Sequence, residues 1–395
     1  MNALIFGGGK IARGFVAQLL YRSGFHTVFA VPHAEKARAL NDKGSYYVNV
    51  MGNPAESQWI SNYECICTAD VEAVARAIET ADIGFTAVGG KNLGTLALTI
   101  AQAYALAAPR MGDRRFTIIT CENWVDPGKQ LRAAVLSALA EEELKRSFDE
   151  HIGISEAAIL RSGVEATEEV LSIDENAVSV TDYWELPVDA GRIKGEQICF
   201  EGVFYRDDFD SFLKRKLYTF NTTNATIAYL GCLRGIRLLA DAANDADIVE
   251  SVRKVHTEIN PAIREEMGGA LEEQYDFSQK AMRKYQDRSV TDFTERHARD
   301  PIRKLGPSDR IVGTLRLVEK YGMSYDELAI VLAAAIYYPV TNPEDASAVR
   351  LRELREEIGP LGVMETVCKI GRDEKAAQTV LAKIEYLKKK GWLHE

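Results

Sequence analysis

Cysteine and histidine are scarce in this chain of 395 residues, with six of each. Cys65 and Cys67 form a lone C-x-C pair, and no second pair stands at the spacing of a metal site. Since scattered thiols in a long chain usually stay reduced, the sequence predicts neither disulfides nor a bound metal.

Long hydrophobic runs are also missing. The longest run, residues 328–338, is about half a membrane span and predicts a buried helix. Residues 3–6 form the first predicted strand and lead directly into a glycine-rich segment, so no secretory signal is expected before them. We therefore expect a cytoplasmic protein with no membrane partner.

Basic residues are too few for a protein that binds polyanions. The chain has 48 Lys and Arg against 58 Asp and Glu, and its formal net charge is −10. Proteins that bind nucleic acids usually carry a dense basic face. The balance therefore argues against nucleic acid as a partner and favours a small-molecule ligand, while the oligomeric state stays unknown.

The chain is too long for one hydrophobic core, and its 46% of hydrophobic residues is enough for two. Strand and helix patterns alternate over residues 1–150, with strands predicted at 3–6, 27–31, 83–88 and 116–121, and helices at 11–23, 71–80 and 93–107. Such alternation predicts a doubly wound parallel sheet with helices on both faces.

The pattern changes further along the chain. Residues 177–183 and 198–205 alternate apolar and polar side chains, which predicts two antiparallel-type strands around a turn at 189–191. From about residue 207 only helical patterns occur, including one at 232–241. The predicted fold is α/β followed by all-α: a Rossmann-type dinucleotide-binding domain over residues 1–200 and a mainly helical substrate and catalytic domain over residues 201–395.

The first predicted strand leads into Gly7-Gly8-Gly9-Lys10-Ile11-Ala12, which fits the pattern G-x-G-x-x-G/A. In this pattern the first glycine permits a tight turn and the second lets the backbone approach a pyrophosphate. A small third residue allows close packing of helix and strand. Because the segment follows a strand and opens a helix, it predicts binding of NAD or NADP.

The second strand lacks the carboxylate that usually binds the ribose of NAD, since it ends with Val31-Pro32-His33. His33, Lys36 or Arg38 could instead contact a 2′-phosphate, which would favour NADP. The alternative is that these three are ordinary surface residues. The preference between the two dinucleotides is left open.

Polar residues also gather in later stretches. In Cys121-Glu122-Asn123, the last two residues follow the predicted strand that ends at Cys121, at the edge of the sheet where ligands bind. Lys216, Asn221 and Asn224 fall within an arc of about 140° on one predicted helix, so they could reach one ligand. A compact basic segment contains Arg299, Arg303 and Lys304.

Together these stretches resemble the mannitol-1-phosphate 5-dehydrogenase branch of the polyol-specific long-chain dehydrogenases. The similar segments cover most of the chain: residues 6–15, 86–89, 121–123, 215–221 with 228–231, and 299–305 with 309–310. The resemblance implies hydride transfer between a nicotinamide dinucleotide and a secondary alcohol of a polyol or sugar phosphate. The predicted cofactor contacts are Gly7, Gly9, Lys10, Ile11, Ala12, Val31, Ala87, Val88, Gly89 and Asn123.

The resemblance also implies roles in catalysis. Lys216 would be the general base, with Asn123 and Asn221 orienting the substrate and stabilising the alkoxide. The family pattern K-x4-N-x2-H has histidine where this chain has Asn224, which can form hydrogen bonds but cannot relay a proton. Family members usually also have glycine in place of Thr223.

Two groups of residues have two interpretations each. Arg299, Arg303 and Lys304 would bind a substrate phosphate or brace the domains through salt bridges. Glu185 is a candidate substrate contact with the same ambiguity. Two alternatives to a polyol-phosphate dehydrogenase stay open: a non-redox dinucleotide-binding protein on the same scaffold, and a dehydrogenase of another sugar-derived substrate such as a sugar acid.

Overall fold

Short apolar runs form the buried strands of the first half of the chain. The computed structural model describes residues 1–340 and 342–393. Its strands are β1 (Asn2–Phe6), β2 (His26–Val31), β3 (Tyr46–Met51), β4 (Gln58–Ile60), β5 (Tyr63–Cys67), β6 (Ile83–Thr86), β7 (Phe116–Thr120), β8 (Ile152–Glu156), β9 (Gly163–Val164), β10 (Val178–Thr181), β11 (Leu186–Asp189) and β12 (Val203–Arg206).

Six strands form the main sheet, in the order β5-β2-β1-β6-β7-β8. Every neighbouring pair in this sheet is parallel. Successive side chains of a strand point to opposite faces, and in β1 Ala3 and Ile5 join one apolar core while Leu4 and Phe6 join another. The predicted parallel sheet with cores on both faces is therefore confirmed.

The two predicted antiparallel-type strands do not pair with each other, so that prediction was wrong. In a second sheet β10 pairs in parallel with β3 and antiparallel with β9. β12 instead pairs in parallel with β11. The alternation of residues along a strand predicts its two faces but not its partner, and here the partners come from elsewhere in the chain.

Helices cover the main sheet and make up the rest of the chain. In the first half they are α1 (Ala17–Arg22), α2 (Ala34–Lys43), α3 (Val71–Thr80), α4 (Leu93–Met111), α5 (Pro127–Ala138), α6 (Glu142–His151) and α7 (Glu168–Ile173). A π-helical segment, Ala12–Val16, precedes α1. Short 3₁₀ turns lie at Pro54–Glu56, Gly90–Asn92 and Ala190–Arg192.

The second half is helical, and its described residues form no strand beyond the isolated bridge between Leu238 and Phe293. Its helices are α8 (Phe209–Lys216), α9 (Thr222–Leu233), α10 (Leu239–Asn244), α11 (Ala246–Met267), α12 (Leu271–Gln286), α13 (Thr294–Ala298), α14 (Pro301–Lys304), α15 (Val312–Lys320), α16 (Asp326–Ile336), α17 (Ala346–Val363) and α18 (Lys375–Lys389). π-helical segments lie at Leu217–Asn221 and Met364–Cys368.

In the helical half, one helix predicted from the sequence is confirmed and another was wrong. The apolar run at 328–338 forms most of α16, whose residues from Leu328 to Ile336 are buried, as predicted. The helix predicted at 232–241 was wrong, because α9 ends at Leu233 and α10 begins at Leu239. Gly235 between them has a φ of +68°, a left-handed conformation that ends helices.

The chain divides into two compact units, Met1–Phe209 and Asp210–Glu395. The predicted boundary at residues 200 and 201 lies close to this division. Strand β12 accounts for the residues between the two positions, since its pairing with β11 ties it to the first unit. No helix among the described residues combines the length and apolarity needed to cross a bilayer.

Candidate active site

The glycine-rich loop after β1 requires glycine at its first position. Gly7 has a φ of +116°, and a Cβ built there would lie 2.5 Å from the backbone oxygen of Ala87. At Gly9 a Cβ would meet no atom within 4 Å, so the loop is open on that side. Helical structure begins at Lys10. A tight turn followed by open backbone at a helix start fits a diphosphate group.

A cavity of about 500 Å³ lies beside this loop in the first unit, within the size range of small-molecule sites. Of the predicted cofactor contacts, the ones that line it are Gly7, Gly9, Val31, Ala87 and Val88. The structure thus brings together the glycine loop and the ends of β2 and β6. These elements converge because neighbouring parallel strands end at the same edge of the sheet.

The other predicted cofactor contacts do not line this cavity. Lys10 forms an ion pair with Glu165, and Ala12 is fully buried in the apolar core. Ile11 is half-buried and packs against the same core. Gly89, with a φ of +85°, precedes the 3₁₀ turn Gly90–Asn92, and Asn123 is exposed after β7.

Glu122 supports one strand end that lines the cavity; the sequence placed it at the edge of the sheet where ligands bind but assigned it no role. Its side chain is 6% exposed, and its Oε2 accepts a hydrogen bond from the Thr86 hydroxyl at 2.7 Å. Its Oε1 accepts from the backbone N–H of Val88 at 3.0 Å. Burial raises the pKa of Glu122. The carboxylate therefore holds the end of β6 in place, a role that the strand-end position of Cys121-Glu122-Asn123 could have suggested.

In the second unit, Lys216 and Asn221 lie on a helix with an unusual turn. α8 ends at Lys216, and the π-helical segment Leu217–Asn221 leads into α9. In a π-helix, backbone hydrogen bonds join residues five apart, and five is the spacing between Lys216 and Asn221. Asn221 therefore follows Lys216 by about one π-helical turn, whereas the sequence predicted one regular α-helix through both residues.

Lys216 lies in a region of concentrated positive charge. Burial and the neighbouring Arg310 guanidinium lower the pKa of Lys216 to about 8. Burial and the charge of Lys216 lower the pKa of Lys284 to about 7. Lys304 is 7% exposed, and burial together with Arg310 lowers its pKa to about 7. We call Lys216, Lys284, Lys304 and Arg310 the cation cluster; sequence reasoning did not name Lys284 or Arg310 as site residues.

Asn224 is buried on α9 and contacts a histidine that is distant in sequence. Its Nδ2 lies 2.8 Å from Nδ1 of His297 on α13. The other ring nitrogen of His297, Nε2, lies 2.7 Å from Oδ2 of Asp292. The backbone carbonyl of His297 accepts a hydrogen bond from Lys304 Nζ at 2.5 Å. This chain of contacts connects Asn224 to the cation cluster.

The remaining predicted substrate contacts have separate surroundings. Arg303 forms ion pairs with Asp300 and with Asp309, the latter at 3.1 Å. Arg299 is exposed. Glu185, in the first unit, accepts a hydrogen bond from the Tyr183 hydroxyl at 2.9 Å. Among residues 1–340 and 342–393, no three His, Cys, Asp or Glu side chains form a group that could hold a metal ion.

Comparison with protein-family models assigns both halves of the chain. The model for the mannitol dehydrogenase Rossmann domain matches residues 1–202, and the model for the mannitol dehydrogenase C-terminal domain matches residues 208–387. The chain belongs to the mannitol dehydrogenase family. The membership predicted from the ordered motifs is therefore confirmed.

Relatives within the mannitol dehydrogenase family extend over nearly the full chain. The mannitol-1-phosphate 5-dehydrogenase of Bacillus pumilus is 31% identical, over 96% of this chain and 99% of the relative. The enzyme of the same name from Brevibacillus brevis is 32% identical, over 91% of each chain.

Two solved structures share the fold. A substrate-free D-sorbitol dehydrogenase has a TM-score of 0.81 and 16% identity, and the match covers 99% of this chain and 93% of that chain. Pseudomonas fluorescens mannitol 2-dehydrogenase, solved with NAD and D-mannitol, has a TM-score of 0.69 and 16% identity, covering 99% of this chain and 92% of that one. The predicted combination of a Rossmann-type domain and a helical domain is confirmed.

Proposed function

We propose that this protein is a nicotinamide-dependent dehydrogenase that interconverts a secondary alcohol of a polyol phosphate and the corresponding keto sugar phosphate. The observation that carries the proposal is the cation cluster, which combines a lysine of lowered pKa with further positive charge. A base and a phosphate-binding group are the two functions that such a substrate requires. The names of the relatives above support the same substrate class.

The first unit supplies the dinucleotide site. The glycine loop, the end of β2 and the end of β6 would hold the cofactor, and Glu122 would keep Val88 in position. When bound, the nicotinamide ring supplies the hydride acceptor for alcohol oxidation and the hydride donor for ketone reduction. An NAD complex of a family member supports a nicotinamide dinucleotide as the cofactor class.

Lys216 is the proposed general base. In the oxidation its neutral amine takes the hydroxyl proton while the carbinol hydrogen leaves as hydride, and in the reduction its ammonium group returns that proton. A pKa of about 8 leaves both forms of Lys216 available near neutral pH. Asn123, Asn221 and Asn224 are the proposed amide donors to the substrate oxygens.

The cation cluster is also the proposed phosphate site. Lys304 is a buried ammonium group beside Arg310, and Lys284 is a half-buried one beside Lys216, so a dianionic phosphate would relieve their mutual repulsion. Arg303 suits this role less well than predicted, because Asp300 and Asp309 already pair with its guanidinium. We therefore propose Lys304 as the main phosphate contact. Arg303 would instead stabilise the local structure through its ion pairs with Asp300 and Asp309.

The alternatives are less well supported. Family membership together with a lysine of lowered pKa favours an enzyme over a non-redox dinucleotide-binding protein. A sugar acid presents a carboxylate that the cation cluster could also bind. An assay is therefore needed to distinguish this substrate class from the polyol phosphates. A cytoplasmic location stays a prediction.

The test is an assay of a panel of substrates, in which the absorbance of the reduced nicotinamide reports turnover. Hexitols, their 1-phosphates, ketose phosphates and sugar acids are each assayed with both NAD and NADP. We expect turnover with a polyol phosphate and a clearly lower kcat/KM with the same polyol without phosphate. Turnover confined to sugar acids would replace the substrate class, and absence of turnover with every compound would overturn the dehydrogenase proposal.

A further inference from the structure

The cavity beside the glycine loop has a charged wall of one sign. Lys36, the third residue of α2, lines the cavity next to His33. Among the described residues that line the cavity, none is aspartate or glutamate. At the start of α2, Lys36 therefore lines the cavity while the neighbouring Glu35 does not.

Lys36 lies against the middle residue of the glycine loop. A Cβ built at Gly8 would lie 3.9 Å from Lys36 Nζ and 2.8 Å from Cγ1 of Val31. In the G-x-G pattern the ribose of the adenosine half is read at the end of the second strand, which lies beside this middle residue. Here Val31 places an apolar side chain at that point, and Lys36 places an ammonium group beside it.

A second cation intensifies the positive charge at this position. Arg13 is 8% exposed, and its Nε donates a hydrogen bond to the backbone oxygen of Gly8 at 2.9 Å. Burial and the charge of Arg13 lower the pKa of Lys36. Within the described part of the chain, Lys36 forms no ion pair that would offset this repulsion. Lys36, which lines the cavity, is thus the cation positioned to receive an anion, and Arg13 adds positive charge nearby.

We propose that Lys36 binds the 2′-phosphate of NADP and that this protein prefers NADP over NAD. The inference rests on the proposed function, because it names the dinucleotide that the same loop takes. A 2′-phosphate is a dianion near neutral pH, and a lysine ammonium binds it as a point charge. NAD offers a 2′-hydroxyl instead, and Val31 has no group that could accept its proton.

The test measures binding and does not depend on turnover. Wild-type protein is titrated with NADPH and with NADH while the nicotinamide fluorescence is recorded. We expect a lower Kd for NADPH, and Lys36→Gln should weaken NADPH binding roughly 10- to 100-fold, as expected for a hydrogen bond between charged groups. NADH binding should change by less than about threefold, since the lost contact is absent from that complex.

The matched control is Arg38→Gln. Arg38 lies on the same helix, carries the same charge and is exposed like Lys36, but it does not line the cavity, so neither Kd should change. Adenosine 2′,5′-bisphosphate and adenosine 5′-monophosphate are also tested as competitors of NADPH for the wild-type protein. This part of the experiment needs no variant. We expect the bisphosphate to compete more strongly.

The outcomes separate this inference from the proposed function. NADH binding as tightly as NADPH would overturn the inference and leave the dehydrogenase proposal intact. A preference for NADPH that survives Lys36→Gln would remove Lys36 from the site. Binding of neither dinucleotide would overturn both proposals.

Discussion

The side-chain amide of Asn224 lies 2.8 Å from Nδ1 of His297, although 73 residues separate them in the chain. Burial lowers the pKa of His297, while Asp292 opposes this effect and Arg296 and Lys304 add to it. The neutral ring can then accept a hydrogen bond from Asn224 at Nδ1 and donate one to Asp292 from Nε2. The family pattern K-x4-N-x2-H has its histidine at position 224. In this chain position 224 is asparagine, and a histidine from another helix, His297, is hydrogen-bonded to it.

We expect His297 to act as a positioning residue for Asn224. In a double-mutant cycle, Asn224→Ala and His297→Ala should each lower kcat/KM about tenfold for the polyol phosphate, and the double variant should lose little more. The reason is that Asn224→Ala removes the amide and His297→Ala removes the group that holds it, so both variants lose the same positioned donor. His297→Gln should recover part of the activity, because its side-chain oxygen can still accept the hydrogen bond. Fully additive losses would show that the two residues act independently.

Lys216→Met should abolish turnover while the dinucleotide still binds. Removal of a general base usually lowers the rate 10²- to 10⁴-fold, and the glycine loop lies in the other unit of the chain. The measurements are kcat and the Kd for reduced dinucleotide. Lys214→Met is the matched control, because Lys214 lies on the same helix but is exposed and pairs with Glu266. Turnover of Lys216→Met within a few-fold of wild type would remove Lys216 from the base role.

The pH dependence should follow Lys216 and respond to Arg310. Oxidation needs the neutral amine, so its kcat should rise as pH increases through about 8, the pKa of Lys216. Reduction needs the ammonium form, so its kcat should fall over the same range. Arg310→Gln removes a positive neighbour, favours the charged form, and should move both midpoints to higher pH. An unchanged midpoint in this variant would mean that another group controls the rate.

Much of the first unit could be predicted from the sequence because its signals are local. The glycine loop, the strand before it and the absence of a carboxylate after β2 are all read within about 30 residues. Pairing was not predictable in the same way, as β10 and β12 show. Each strand has a legible alternation, but its partner is chosen by packing over long separations in sequence.

The candidate site of the second unit was predictable only in part. Lys216, Asn221 and Asn224 share a short motif, yet the π-helical turn that aligns Lys216 with Asn221 leaves no clear mark in composition. Lys284 and His297 come from helices α12 and α13, which reach this region through tertiary packing. A lysine in a helical pattern normally indicates a solvated surface. Lys284 is distinguished only by its partial burial and by its proximity to Lys216, which the sequence does not show.

Lys304 should be specific for the phosphate of the substrate. Lys304→Met should raise KM for the polyol phosphate roughly tenfold or more and leave kcat/KM for the unphosphorylated polyol nearly unchanged. The ratio of the two kcat/KM values is the measurement, because a general loss of structure would lower both. Arg303→Met is the control, since its guanidinium is already paired with two aspartates. Equal losses for both substrates would assign Lys304 a structural role.

Gly7 and Gly9 offer a way to separate folding from cofactor binding. Alanine at Gly7 would combine a φ of +116° with a Cβ 2.5 Å from the Ala87 oxygen. We expect Gly7→Ala to lower the free energy of unfolding by about 1–3 kcal/mol and to weaken dinucleotide binding.

Gly9→Ala should leave the melting temperature unchanged, because its Cβ meets no protein atom within 4 Å. That Cβ should still weaken dinucleotide binding, since it fills the space that the pyrophosphate needs. Gly94→Ala, on α4 with equally open surroundings, is the control and should neither lower the melting temperature nor weaken dinucleotide binding. If Gly9→Ala bound the dinucleotide as tightly as wild type, the loop would not be the diphosphate site.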